Sequence, residues 1–89
     1  MSYSEPEILR LFRESVFAVK LLDVGEVRTA DHIAQLGLDS VSTMEVVGRI
    51  EEQLGVRFPD EDLATLQTVG DLVALVRRSL EREREDSRR

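Results

Sequence analysis

The spacing of the apolar residues constrains this chain most. Ile8, Phe12, Val16 and Val19 recur at steps of 4, 4 and 3, and Val47, Ile50 and Leu54, joined by Val46, repeat at 3 and 4. Val69, Leu72, Val73, Val76 and Leu80 follow at 3, 1, 3 and 4. Each set covers one face of a helix of period 3.6, whereas a half-buried strand needs strict alternation. No useful alternation occurs anywhere in the 89 residues. Three amphipathic helices in so short a chain must bury their stripes against one another, and the predicted class is all-α.

Local signals give the helix ends. In "SEPE", Ser4 is an N-cap, Pro6 sits in the first turn and Glu7 stands where a capping box needs its acid, so the first helix runs from Ser4 to near Leu22. Asp39 caps a second helix from Ser40 to about Leu54, with Gly55 as its left-handed stop. "VRFPDEDLATLQ" reads as a short extended link, Pro59, and one or two helical turns around Asp60 to Leu66. "TVGD" opens the last helix, with Thr68 as cap and Asp71 three residues on. The expected architecture is a small four-helix bundle with a long loop between helices 1 and 2 and a short helix 3. That loop, Asp23 to Asp39, is long for so small a domain, and Val27, Ile33, Leu36 and Leu38 are expected to pin it across the core. Residues 1–80 form the expected domain. Residues 81–89, "EREREDSRR", have no apolar side chain to bury and are expected to be a charged, flexible tail.

Composition narrows the function classes. With 42% hydrophobic and 34% charged residues the chain reads as soluble and globular, and four aromatics leave the core to Leu, Ile and Val. The net charge of −6 is uneven, since Arg77 to Arg89 hold six Arg against four acids and leave 14 acids against six bases in the body. An acidic body argues against nucleic acid, whose phosphates require a basic surface, and suits basic protein partners. No cysteine is present, so neither a disulfide nor a thiolate metal site can form, and His32 is the only histidine. No metal site is expected. Charges every few positions in the first residues leave no signal-peptide core or membrane span, and a cytoplasmic, monomeric protein without membrane contact is expected.

Catalysis by this chain is not expected. His32 with Asp31 or Asp39 is the only set that could serve a nucleophilic serine, and no G-x-S-x-G turn exists. Ser40 is the unusual residue. It follows Gly37 and Asp39 at the mouth of the second helix, where an attached phosphate would meet free backbone N–H groups and the positive end of the helix dipole. Local physics leaves two readings open, a favourable helix start or an attachment point. Val41 and Met44, off the buried stripe, likewise read either as a contact surface or as packing against the preceding loop.

"LGLDSV", "MEVVGRIEEQLGVRFPDEDL" and "TVGDLVALV" in this register resemble the acyl carrier protein family over nearly the whole chain to Leu80. The resemblance implies that Ser40 carries a 4′-phosphopantetheine arm, donated from coenzyme A by a phosphopantetheinyl transferase, whose thiol holds acyl groups as thioesters. It implies that Asp39 is the acidic neighbour transferases contact, and that Val41, Met44, Glu45, Gly48, Arg49, Glu51 and Glu52 face partner enzymes. Those partners are a loading ligase or acyltransferase, and a ketosynthase or other enzymes of fatty-acid, polyketide or related biosynthesis. Val47, Ile50, Leu63 and Leu66 would line a pocket for the cargo. Val41 stands where the family usually has leucine, and Gly48 and Arg49 interrupt the acidic helix, which favours a dedicated carrier of a specialised pathway. The competing readings are a free-standing aminoacyl or aryl carrier and an unmodified helical adaptor.

Overall fold

In the computed structural model, which describes residues 3–86, four helices follow one another: α1 (Glu5–Lys20), α2 (Ser40–Leu54), α3 (Asp60–Leu63) and α4 (Val69–Asp86). A 3-10 helix, Ile33–Leu36, lies within the loop between α1 and α2. The all-α bundle is therefore as expected, including the long loop and the short third helix. α1 starts on a complete capping box: Ser4 Oγ accepts from the Glu7 amide at 3.3 Å, and the Ser4 amide donates to Glu7 Oε1 at 3.1 Å. It ends at Leu21, whose amide donates to Phe17 O at 2.8 Å with φ +55°. A left-handed leucine costs about 1 kcal/mol or more, because its Cβ crowds the following carbonyl.

Ile8, Phe12 and Val16 of α1 meet Val46, Val47 and Ile50 of α2 and Val69, Leu72, Val73, Leu75 and Val76 of α4 in one core. Burying each such side chain contributes about 1.5–3 kcal/mol, against the chain entropy lost on ordering. Val27, Ile33 and Leu38 pin the loop into this core, as their apolar character predicts, while Leu36 is only partly buried. Phe58 and Val56 do the same for the link after α2.

Hydrogen bonds hold the loop to the start of α4. Val69 N donates to Asp31 O, Gly70 N to Thr29 O and Ile33 N to Gln67 O, all at 2.9 Å, around an antiparallel bridge between His32 and Thr68. The first amides of a helix have no partner inside it, and here the loop carbonyls satisfy two of them. Gly70 permits the approach: a Cβ there would stand 3.0 Å from Thr29 O. The predicted cap closes the same turn, with Asp71 N donating to Thr68 Oγ1 at 3.1 Å and Thr68 N to Asp71 Oδ2 at 3.0 Å.

α4 continues to Asp86, six residues beyond Leu80, where the apolar stripe ends. Arg and Glu are good helix formers and no Gly or Pro interrupts them, so the helix outlasts its buried face. Residues 87–89 of the expected tail lie outside the described residues.

Candidate functional site

Asp39 begins the site. In extended conformation (φ −86°, ψ −178°), its Oδ1 accepts from the Ser42 amide at 2.7 Å, and its carbonyl accepts from Thr43 N at 2.9 Å and Thr43 Oγ1 at 2.7 Å. The Ser42 amide and hydroxyl hold the Asp39 carboxyl below the usual carboxylate range, and the positive charge of Lys20 adds to this. Asp39 is thus an ionised cap at the positive end of α2. Ser40, the next residue, is exposed as the first of the helix, whereas Ser42 is turned inward and only 6% exposed. The two hydroxyls lie roughly 200° apart around a 3.6-residue helix. Only one of them can meet a macromolecular partner.

Gly37, left-handed at φ +90°, turns the chain from the 3-10 helix into α2. Between these two elements and α3 lies a cleft of about 640 Å³, lined by Ile33, Leu38, Met44, Leu63 and Leu66 and reaching Ser40. Two of the four residues expected to line a cargo pocket, Leu63 and Leu66, are here. Val47 and Ile50 are not: they are 1% and 0% exposed and lie in the core, because the inner stripe of α2 packs on the other helices. Ile33 and Leu38, expected only to anchor the loop, take their place in the lining. Their signal was the apolar spacing of "IAQLGL" before the turn. Met44 lines the cleft beside the loop residues while staying 47% exposed, and Val41, 68% exposed, faces solvent.

The other expected contact residues divide. Val41, Glu45, Gly48, Arg49 and Glu52 fall within roughly a 100° arc of α2, at 100° per residue. Glu45, Arg49 and Glu52 are exposed, and Gly48 is half-buried with no atom within 4 Å of where its Cβ would be. Glu51 is drawn away from that surface: its Oε2 accepts from the Phe58 amide at 2.7 Å and ties the link after α2 to the helix. Its role in the fold is structural, because a half-buried amide needs an acceptor.

No hydrogen bond joins Ser40 to a base among the described residues, although His32 lines the same cleft. What Ser40 has is exposure, a helix N-terminus and an adjoining apolar cleft, which suit a phosphate-linked chain better than a catalytic serine. The sequence model of the family described as "Phosphopantetheine attachment site" matches residues 15–76, well over half of the chain. An acyl carrier protein of Rhodococcus erythropolis is 38% identical over 80 residues, covering 88% of this chain and 87% of the relative.

The chain belongs to the acyl carrier protein family.

A meromycolate extension acyl carrier protein of Mycolicibacterium aurum is 37% identical over 79 residues, covering 88% of this carrier and 81% of that protein. The crystal structure of a Thermotoga maritima acyl carrier protein superposes with a TM-score of 0.82 at 25% identity, covering 86% of this carrier and 91% of that chain. The carrier is therefore non-catalytic, and shuttles acyl groups on a covalently attached phosphopantetheine. Like others of its family it serves biosynthetic enzymes. Among the described residues no helix is long and apolar enough to cross a membrane.

Proposed function

We propose that Ser40 is the residue to which 4′-phosphopantetheine is attached, and that this chain presents acyl intermediates to the enzymes of a fatty-acid, polyketide or related specialised pathway in the cytoplasm. The observation that carries the assignment is the contrast between the two serines at the start of α2: Ser40 exposed at the mouth of the cleft, Ser42 buried. The arm, when attached, supplies a terminal thiol that holds acyl groups as thioesters. This chain contains no cysteine of its own.

Attachment requires a transferase. The Ser40 hydroxyl oxygen forms a bond to phosphorus of coenzyme A, the phosphoanhydride bond breaks, and 3′,5′-ADP leaves with its electron pair. The serine proton passes to a base on the transferase, since no side chain among the described residues hydrogen-bonds Ser40. Asp39 fixes the helix start and with it the direction of Ser40. The free amides of the first turn favour the phosphodiester charge.

The exposed arc of Val41, Glu45, Gly48, Arg49 and Glu52, with Met44 beside it and Asp39 at its end, is the surface for the partners. These are the transferase, a loading ligase or acyltransferase, and a ketosynthase or other pathway enzyme. Leu63, Leu66, Ile33 and Leu38 offer an apolar wall for cargo. The unit that does this is the bundle through Leu80, functioning as a monomer.

Incubation with coenzyme A and a broad-specificity phosphopantetheinyl transferase, read by intact mass, tests the assignment. The parent and Ser42→Ala are expected to gain one arm, and Ser40→Ala none. An arm on Ser42 would falsify it.

A further inference from the structure

The cleft of about 640 Å³ that reaches Ser40 has a mixed lining. Ile33, Leu38, Leu63 and Leu66 make an apolar wall, and His32, Asp39, Thr43, Asp60 and Gln67 border it with polar groups. Asp39 and Thr43 spend their side chains on the start of α2: Ser42 N donates to Asp39 Oδ1 and Thr43 Oγ1 donates to Asp39 O, both at 2.7 Å. Asp60 is the exposed acid that opens α3. His32 and Gln67 differ from these. Both are exposed, and neither side chain donates or accepts a hydrogen bond among the described residues.

The backbones of this pair, by contrast, are fixed. His32 forms the antiparallel bridge with Thr68, Ile33 N donates to Gln67 O at 2.9 Å, and Gln67 N donates to Asp71 Oδ2 at 3.1 Å. His32 and Gln67 therefore stand on two adjoining segments, one from the loop and one from the link before α4, tied to each other through main-chain groups. A pair held in this way loses less freedom on binding a ligand than side chains on a loose segment. Imidazole and carboxamide between them both donate and accept. An apolar wall bordered by such a pair suits a ligand of apolar carbon interrupted by amides.

We infer that His32 and Gln67 are binding residues for the phosphopantetheine arm, which folds back from Ser40 into the cleft and hydrogen-bonds to this pair through its amides. This rests on the reading of Ser40 as the attachment residue. The arm is a chain of methyl-bearing and methylene carbons broken by two amides, each with one N–H and one C=O. Against the apolar wall alone those amides would go unmet, at a cost in free energy. His32 and Gln67 meet them at its border. Attachment also selects the occupant: tethering at Ser40 gives the arm an effective concentration on the order of mM, which a freely diffusing molecule must match to compete. Delivery to a partner then begins with release of these hydrogen bonds, so the pair sets the fraction of the carrier that presents its thiol.

The test compares the apo and loaded forms of the full chain by NMR, the loaded form being made with coenzyme A and a phosphopantetheinyl transferase and kept reduced. Loading is expected to shift the side-chain signals of His32 and Gln67 and the methyl signals of Leu63 and Leu66. Tyr3 and Gln53, which line a separate hollow by the end of α2, should not move. Protons of the arm should show NOEs to the His32 and Gln67 side chains. His32→Ala combined with Gln67→Ala keeps the main-chain bonds that dock the loop, and in it the loading shifts at Leu63 and Leu66 should be lost. Shifts confined to residues 39–42, absent NOEs, or Leu63 and Leu66 shifts that persist in the double variant each overturn the inference, and with the arm on Ser40 by mass they leave the attachment assignment standing. An arm on another residue overturns both. If the double variant does not fold, the NOEs of the parent decide alone.

Discussion

Buried hydroxyls show how single residues set the stability of so small a domain. Ser15 on α1 and Ser79 on α4 are 1% and 3% exposed, and neither Oγ has a hydrogen-bond partner among the described residues. A buried polar group left without a partner costs stability, and alanine is also the better helix former. Ser79→Ala and Ser15→Ala should therefore each stabilise the fold by about 1 kcal/mol, visible as a higher denaturation midpoint at unchanged slope. Lower midpoints would show that the hydroxyls are satisfied. The apolar period marked both helix faces correctly but was silent on these serines, because which polar residues fall inside a stripe depends on how wide the neighbouring helices make it.

At the scale of elements, two glycines within helices differ in space: Gly48 lies in the interior of α2 and Gly70 in the first turn of α4. Nothing stands within 4 Å of a Cβ at Gly48, whereas at Gly70 it would meet Thr29 O at 3.0 Å, a backbone atom that cannot swing aside. Gly48→Ala should stabilise by about 1 kcal/mol, the ordinary helix-propensity difference. Gly70→Ala should destabilise, because the loop must retreat and release the amides it holds. Urea unfolding of the two variants side by side decides the point, and a stabilised Gly70→Ala would mean that the loop is not docked as described. Helix starts were legible because Ser4, Asp39 and Thr68 act on amides within a few residues of themselves. The stapling of the loop to α4 was not legible, since Thr29 and Gly70 are brought together only by folding.

For the whole molecule, the carboxylates that close the helix starts link stability to pH. Glu7, Asp39 and Asp71 each have a lowered pKa, caused first by a backbone amide of Ser4, Ser42 or Thr68, and that of Asp23 is lowered by Arg13. A carboxyl whose pKa is lower when folded contributes stability that is fully present above its unfolded value, about 3.9 for Asp and 4.3 for Glu. That contribution is lost as pH falls through the folded value. Repulsion within the acidic body runs the other way, easing as carboxylates protonate. At about 1 M salt, where charges are screened beyond about 3 Å, the caps should dominate. The melting temperature is then expected to stay level from pH 7 to about 5 and to fall below about 4. A rise on acidification at high salt would show that repulsion outweighs the caps.

What the sequence determined by itself was whatever acts over short distances along the chain: the three helix faces, their caps, the stop at Gly55, and the Asp39–Ser40 junction with its family pattern. Exposure followed from the tertiary structure. It set Ser40 outward and Ser42 inward, put Val47 and Ile50 in the core while the loop supplied Ile33 and Leu38 to the cleft, and drew Glu51 onto the Phe58 amide. The physical reason is one of range. Capping and periodicity are satisfied within a turn or two, whereas which side of a helix meets solvent depends on what the rest of the chain lays against it.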